Sequence, residues 1–306
     1  MLRMLWRRFF CDWRNVIPLA LILVFFALAF LAPVISPPLS PEEPAYNRVA
    51  GFSRTPIPPN EEHLLGTFPG GFDVAHTLIW GVRSALVFGL FVTFCTAAIG
   101  ISIGAFSNFA GGVLGRLGMR VTDAFLAFPS LAAIMLITQL FKPAPLIPPT
   151  LFQQLMAVWH VEPVMVALIL FSWMSYSRLI YVSIEQQRGI EYVAAASVMG
   201  LSSWRIFFRH ILPNIVTPLL VLVTKDIGGM VILESAFVFI GVSHYTEWGE
   251  MIAASKNWII GPTAGFTYWW TFVPVTIALI LFSLSWQMLG QRINAALNPR
   301  SFSYLK

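Results

Sequence analysis

Lys225, Asp226 and Glu234 stand inside an apolar run that extends from about Asn214 to Gly241. A charge at the centre of a bilayer costs about 2.5–3.5 kcal/mol on insertion scales, so these residues need water or a polar partner. Two uses are open for Glu234: lining a path for solute or ions, or hydrogen-bonding serine or backbone on a neighbouring helix. Gly228-Gly229, between the charged positions, offers a bend or a close-packing point. Other chemistry finds little support. The histidines His63, His76, His160, His210 and His244 are far apart, and His244-x-x-Glu247 alone is too weak for a metal site. Cys11 and Cys95 fall in a basic tail and an apolar run, with neither disulfide nor metal-ligand spacing. Gly111, Gly112, Gly115 and Gly118 form an expected turn without the Gly-Lys-Ser/Thr ending of a phosphate-cradling loop, and no other stretch supplies one. No nucleophile–base pairing appears either.

The longest polar and basic interruption is Glu191–Asn214, EYVAAASVMGLSSWRIFFRHILPN. Glu191 suits the positive end of a short helix, Ala194, Ala195 and Ala196 favour its middle, and Gly200 suits its stop. Ser202 or Ser203 can cap a second helix from Trp204 to Leu212. Pro213 is expected to bar fusion with the residues that follow, leaving two short helices joined at a protruding glycine corner. An interfacial hairpin, with Trp204, Phe207 and Phe208 among headgroups and Arg205 and Arg209 on phosphates, would explain the second helix. It leaves the Ala-Ala-x-x-x-Gly beginning without a reason.

That beginning, with Ala195, Ala196 and Gly200 followed at fixed distance by Leu212 and Pro213, resembles the inner-membrane permeases of ABC importers, specifically the dipeptide/oligopeptide/nickel group. The family's frequent Glu before the two alanines is Ala194 here. The likeness continues in the entry segment at Gly66, Thr67, Gly71, Asp73, Val74, Gly81, Arg83 and Ser84, although Phe68 and Phe72 replace the usual Asp and Arg. It extends to Glu234, Phe239 and Gly241, to Trp248-Gly249-x-Met251, and to a tail from Leu289-Gly290-Gln291-Arg292 to Asn298-Pro299-Arg300. The resemblance implies a type I importer permease fold. Glu191, Tyr192, Ala195, Ala196, Gly200, Arg205, Leu212 and Pro213 would couple to an ATPase, and Asp226 and Glu234 would belong to the translocation path. It further implies a homologous second permease, two cytosolic ATPase subunits, an external solute-binding protein, and ATP and Mg held by the ATPase, with no cofactor in this chain. The expected location is the bacterial cytoplasmic membrane.

The elements that must carry these residues are membrane helices. A chain of 306 residues with 57% hydrophobic and 11% charged side chains falls far from soluble domains, where about a quarter are charged. After a basic tail (1–15), the run 16–35 is long enough for the ~30 Å hydrocarbon layer, and its length favours an uncleaved anchor over a signal peptide. Residues 36–83 form a proline-rich external loop and an amphipathic segment. A five-helix core (84–290) carries the 191–213 loop, and 291–306 is a tail. Further spans are expected near 84–106, 123–141 with a kink at Phe128-Pro129-Ser130, 163–184 with Arg178 snorkelling, 214–241 and 268–289. Leu151–Trp159 suits a surface helix. Trp248, Trp258, Tyr268, Trp269 and Trp270 suit an interfacial belt. The basic residues explain topology rather than nucleic-acid binding: thirteen Lys and Arg fall in the inner parts of this arrangement and five in the outer parts.

The fold class is therefore all-α, six-spanning, with both ends inside. A self-sufficient secondary transporter or channel using Asp226 and Glu234 is the competing reading, but no inverted repeat supports it. Reporters within 42–61 or beside Lys256 should be external, and those at Gly112, Ser202 or the C-terminus cytosolic. An external C-terminus would remove the six-span arrangement.

Overall fold

The computed structural model describes residues 13–40, 43–47, 55–143, 148–159, 161–188, 190–259 and 266–297. The basic tail with Cys11, the loop positions Arg48 and Arg54, His160 and the end of the C-terminal tail lie outside them, as do the side chains of Glu191, Tyr192, Trp204 and His210. Helix α1 is Trp13–Ile35, β1 Thr67–Phe68, β2 Phe72–Asp73, α2 Val74–Ala110, α3 Gly112–Ala127, α4 Ser130–Phe141, α5 Leu151–Val158, α6 Pro163–Ser172 and α7 Met174–Arg188. They are followed by α8 Glu191–Val198, α9 Ser203–Ile206, a π turn Phe207–Ile211, α10 Leu212–Phe239, α11 Glu247–Ile259, a 3₁₀ turn Trp269–Thr271 and α12 Val273–Leu297. Five helices or helix pairs are long and apolar enough to cross a membrane, and a sixth crossing results if the bent pair α3–α4 is one span.

The described residues divide into two compact units. In the unit built on 13–91 and 227–288, Phe25 packs edge-on against Phe282 at 5.2 Å, and Trp248 meets the same Phe282 ring at 5.8 Å. The segment between α1 and α2 is sewn down by indole donors: Trp80 Nε1 to Ser36 O at 2.9 Å and Trp270 Nε1 to Thr67 O at 3.2 Å. Asp73 accepts the His76 N–H at 2.8 Å, the N-cap bond expected where a polar residue opens an apolar helix. His76 accepts at Nδ1 from Ser36 and Asn47 and donates from Nε2 to Pro44 O. Instead of an amphipathic segment followed by a new span at Ser84, α2 runs 37 residues without a break, about 55 Å. Trp248 and Trp270 are buried, so these two do not belong to the expected belt. Aromatic rings with an indole N–H find better partners inside, as Trp248 does with Leu78 O.

The unit built on 92–226 and 289–297 is organised by close helix contact. A Cβ at Gly100 would collide with Trp173 O, and one at Gly104 with Ser177 O, so backbones meet where side chains would hold them apart. Gly111 and Gly112 have positive φ and make the turn after α2, whereas Gly115 and Gly118 lie within α3 and press on Ser107. The expected kinked span becomes two helices bent by 90°. Phe128, held extended before Pro129, ends α3 because the proline ring disfavours helical geometry there. Arg178 does not simply snorkel: its guanidinium pairs with Asp123 at 2.6 Å. Because both partners are about half-exposed, that pair adds at most about 1 kcal/mol.

Gly104→Leu should lower stability by about 1–3 kcal/mol through overpacking. Gly229→Ala, where an added Cβ meets nothing within 4 Å, should be neutral or slightly stabilising. Thermal unfolding in mild detergent compares the two.

Candidate functional site

The 191–213 loop begins with α8, whose end is closed by a positive-φ glycine. Leu201 N donates to Ala196 O at 3.2 Å across Gly200 (φ 76°), the six-to-one bond of a Schellman cap. The second helix starts with Ile206 N donating to Ser202 O, which makes Ser202 its N-cap position. Pro213 does not separate this helix from the span. The preceding turn widens, Leu212 N donates to Phe207 O five residues back, and the chain continues through the π turn into α10. A proline has no N–H to donate and its ring crowds the turn before it, so a wider turn accommodates both constraints.

The loop has an inner and an outer side. Val193, Ala196, Ile206, Phe207 and Ile211 are buried with Tyr176, Ile180 and Ile184 of α7, and Leu201 and Leu212 pack against the same cluster. Ala195, Val198, Met199, Gly200, Arg205, Phe208 and Pro213 face outward. Nothing lies within 4 Å of a Cβ built at Gly200, so the corner protrudes. Thus Ala196 and Leu212 fix the loop while Ala195, Gly200, Arg205 and Pro213 present it. Glu191 and Tyr192 contribute the first residues of α8.

The intramembrane carboxylates occupy different environments. Asp226 is half-buried beside the buried Tyr176 hydroxyl, which makes no hydrogen bond of regular geometry, and Lys225 is exposed. Glu234 is fully buried. Its oxygens accept from the Thr246 hydroxyl, Thr246 N at 3.2 Å and Ser243 Oγ at 3.4 Å. They therefore tie the end of α10 to the turn that starts α11. Gly241 (φ 81°) closes that end, with Val242 N bonded to Phe237 O at 2.8 Å. Ser243 and Thr246 were legible only as polar residues nine and twelve positions after Glu234. Outside the spans, Glu247 accepts from the Ser84 hydroxyl, and His244 contacts Glu250 at 2.7 Å. Burial raises the Glu247 carboxyl above its ordinary value; the Ser84 bond opposes the rise and nearby Glu250 adds to it.

Helices long and apolar enough to cross a membrane, one of them entered through a corner with exposed apolar residues, are the architecture of a polytopic membrane protein. Residues 96–301 match the family described as binding-protein-dependent transport system inner membrane component, and the chain belongs to it. It is 25% identical over 96% of its length to the dipeptide transport system permease protein DppC of Alkalihalophilus pseudofirmus, of which 90% is covered. It is 28% identical over 91% of its length to the probable D,D-dipeptide transport system permease protein DdpC of Escherichia coli K12, covering 86% of that protein. The glutathione transport system permease protein GsiD of Pectobacterium atrosepticum is 26% identical, with 97% of this chain and 91% of the relative covered. The fold resembles that of a chain in inward-facing MetNI, a methionine ABC transporter, with a TM-score of 0.54 and 15% identity over 72% of this chain and 96% of that one. The protein is a permease subunit of an ABC importer.

Glu234→Ala should cost about 1.5–3 kcal/mol by leaving the Thr246 and Ser243 donors unpaired, and Glu234→Gln, which keeps acceptor oxygen, should retain most of the stability. Glu247 gives a pH test. A carboxyl raised in the fold contributes stability that is complete below its unfolded value and lost as pH rises through its folded value. Glu247→Gln should therefore melt higher than wild type at pH 8, with the gap closing toward pH 4. Equal melting at both pH values would remove the burial effect.

Proposed function

We propose that this chain forms half of the translocation pathway of an importer for peptides or a related small solute. A second, homologous permease supplies the other half, an external binding protein delivers the solute, and two cytosolic ATPase subunits hold ATP and Mg. The reading of cargo rests on the named specificities of the relatives, which range over dipeptides and glutathione. The reading of coupling rests on one observation: the 191–213 loop buries one side on its own spans and turns Val198, Met199 and Gly200 outward around an open corner. Exposed apolar residues at a rigid corner suit docking into a partner's cleft. Ala195, Gly200, Arg205 and Pro213 are then the surface offered to the ATPase, with Ala196 and Leu212 holding it in place. Glu191 and Tyr192 open the same helix.

Asp226, half-buried in mid-span, is the proposed path residue. Glu234 is proposed as a tie between α10 and the external connection, since its oxygens accept from Ser243 and Thr246. An ion-driven transporter would need those oxygens free for cargo, and that weighs against it. Both chain ends are proposed to be cytosolic.

The wild-type permease should co-purify with an ABC ATPase in mild detergent. Gly200→Asp strains a left-handed position by about 1–2 kcal/mol without an internal clash. It should leave the spans inserted yet weaken ATPase capture or uncouple hydrolysis from uptake at equal permease levels. Unchanged capture and coupling would reduce the loop to an interfacial hairpin.

A further inference from the structure

Helices α7 and α10 adjoin the 191–213 loop in sequence, so any movement of the loop reaches them through the chain itself. Helices α2 and α3 end more than sixty residues earlier and can sense the loop only through contacts with it or with α7. Three consecutive residues in the last turn of α2 face three different elements. The backbone and hydroxyl of Ser107 lie against Gly115 and Gly118 of α3, where an added Cβ would collide with them. The Asn108 amide donates to Tyr181 O at 3.2 Å and Glu185 Oε2 at 3.0 Å on α7, and Asn108 O accepts from the Arg188 guanidinium at 3.1 Å. The Phe109 ring meets Phe207 of the π turn edge-on, 5.5 Å between centroids and 80° between planes. The Arg188 guanidinium carbon is 5.5 Å from the centre of the same Phe109 ring.

We propose that Ser107-Asn108-Phe109 is the joint that passes displacement of the 191–213 loop to α2 and α3, with Arg188 bracing it. The inference rests on the coupling role given to the loop above. Its physical basis is directional. Gly100 and Gly104 also bring α2 against α7, and Ala97, Ile101 and Ala105 border the buried cluster, but none of these five has a side chain that hydrogen-bonds α7 or the loop. Asn108 is fixed at two atoms to α7, and Phe109 presses its ring against the buried Phe207, so neither can move without its partner. Close-packed interiors transmit strain, and an edge-to-face ring pair adds orientation to the contact. The Ser107 contact carries the same movement into α3 because glycines there leave no compliant side chain between the backbones. These are positioning residues: none of them needs to touch solute or nucleotide.

The test compares Asn108→Ala and Phe109→Ala with Phe106→Ala, an exposed ring on the same helix end. The importer is purified with its ATPase, and MgATP hydrolysis is measured with uptake of tritiated dialanine in cells. The joint requires wild-type ATPase capture, at least a tenfold drop in uptake per ATP hydrolysed for Asn108→Ala and Phe109→Ala, less than a twofold change for Phe106→Ala, and partial rescue by Phe109→Tyr. Wild-type uptake per ATP in both joint variants would overturn it, as would an equal loss in Phe106→Ala. If Phe109→Ala fails to accumulate, cysteines at 109 and 207 bridged by a short crosslinker decide the matter. Uptake that survives bridging supports a joint that moves as one piece, and uptake abolished by bridging overturns it. Wild-type permease that captures no ATPase, or takes up no dialanine, would instead count against the proposed function and its cargo.

Discussion

The missing N–H of Pro213 is the constraint on which the arrangement of the loop depends. A standard α-helical turn at this point would leave a carbonyl unpaired and force a ring clash, and a clean break would leave the loop hinged to the span. The π turn at Phe207–Ile211 carries the chain past the proline without a break, and the helical path runs from Ser203 to Phe239. The turn also brings Phe207 and Ile211 onto the buried side, where they join Val193 and Ala196. Loop orientation, loop anchoring and the direction of α10 therefore follow from one local solution. Replacing the π turn by a flexible linker would keep the contacts but lose the rod.

Much of this was legible because it rests on residues with few conformational choices. Gly200 occupies the left-handed position that ends its helix, and Asp73 caps α2. Of the six apolar runs read as spans, five are helices or helix pairs of spanning length, and the run at 123–141 is the bent pair. The rest depended on contacts between residues remote in sequence. Nothing in Arg178 announces Asp123 as its partner, because the pair spans 55 positions and requires α3 and α7 to be neighbours first. The tryptophans of the connection between α10 and α12 look alike in sequence, yet Trp248 is buried and Trp269 is exposed. Periodicity could not see that Pro129 bends its helix by 90°, since a proline kink and a full corner share the same sequence. Pro213 misled for a related reason: the rule against proline in helices assumes α geometry, and one π turn suspends it.

The two carboxylates of α10 illustrate how environment divides residues of the same charge. Glu234 is enclosed by hydroxyl and backbone donors from Ser243 and Thr246, a set that fixes its geometry. Asp226 has a half-buried position beside the Tyr176 hydroxyl. The insertion penalty is offset in the first case by local hydrogen bonds. In the second, part of it is relieved by access at the surface of the chain.

The short helix α4 has a consequence for how the polypeptide enters a bilayer. With 12 residues it reaches about 18 Å, well short of the ~30 Å hydrocarbon layer, and α3 meets it at a right angle rather than extending it. Its packing partner α6 begins at Pro163, so it emerges from the ribosome only after α4 is complete. During synthesis α4 is therefore complete before its packing partner exists. A chain truncated between the two helices would leave α4 without the packing surface that α6 provides.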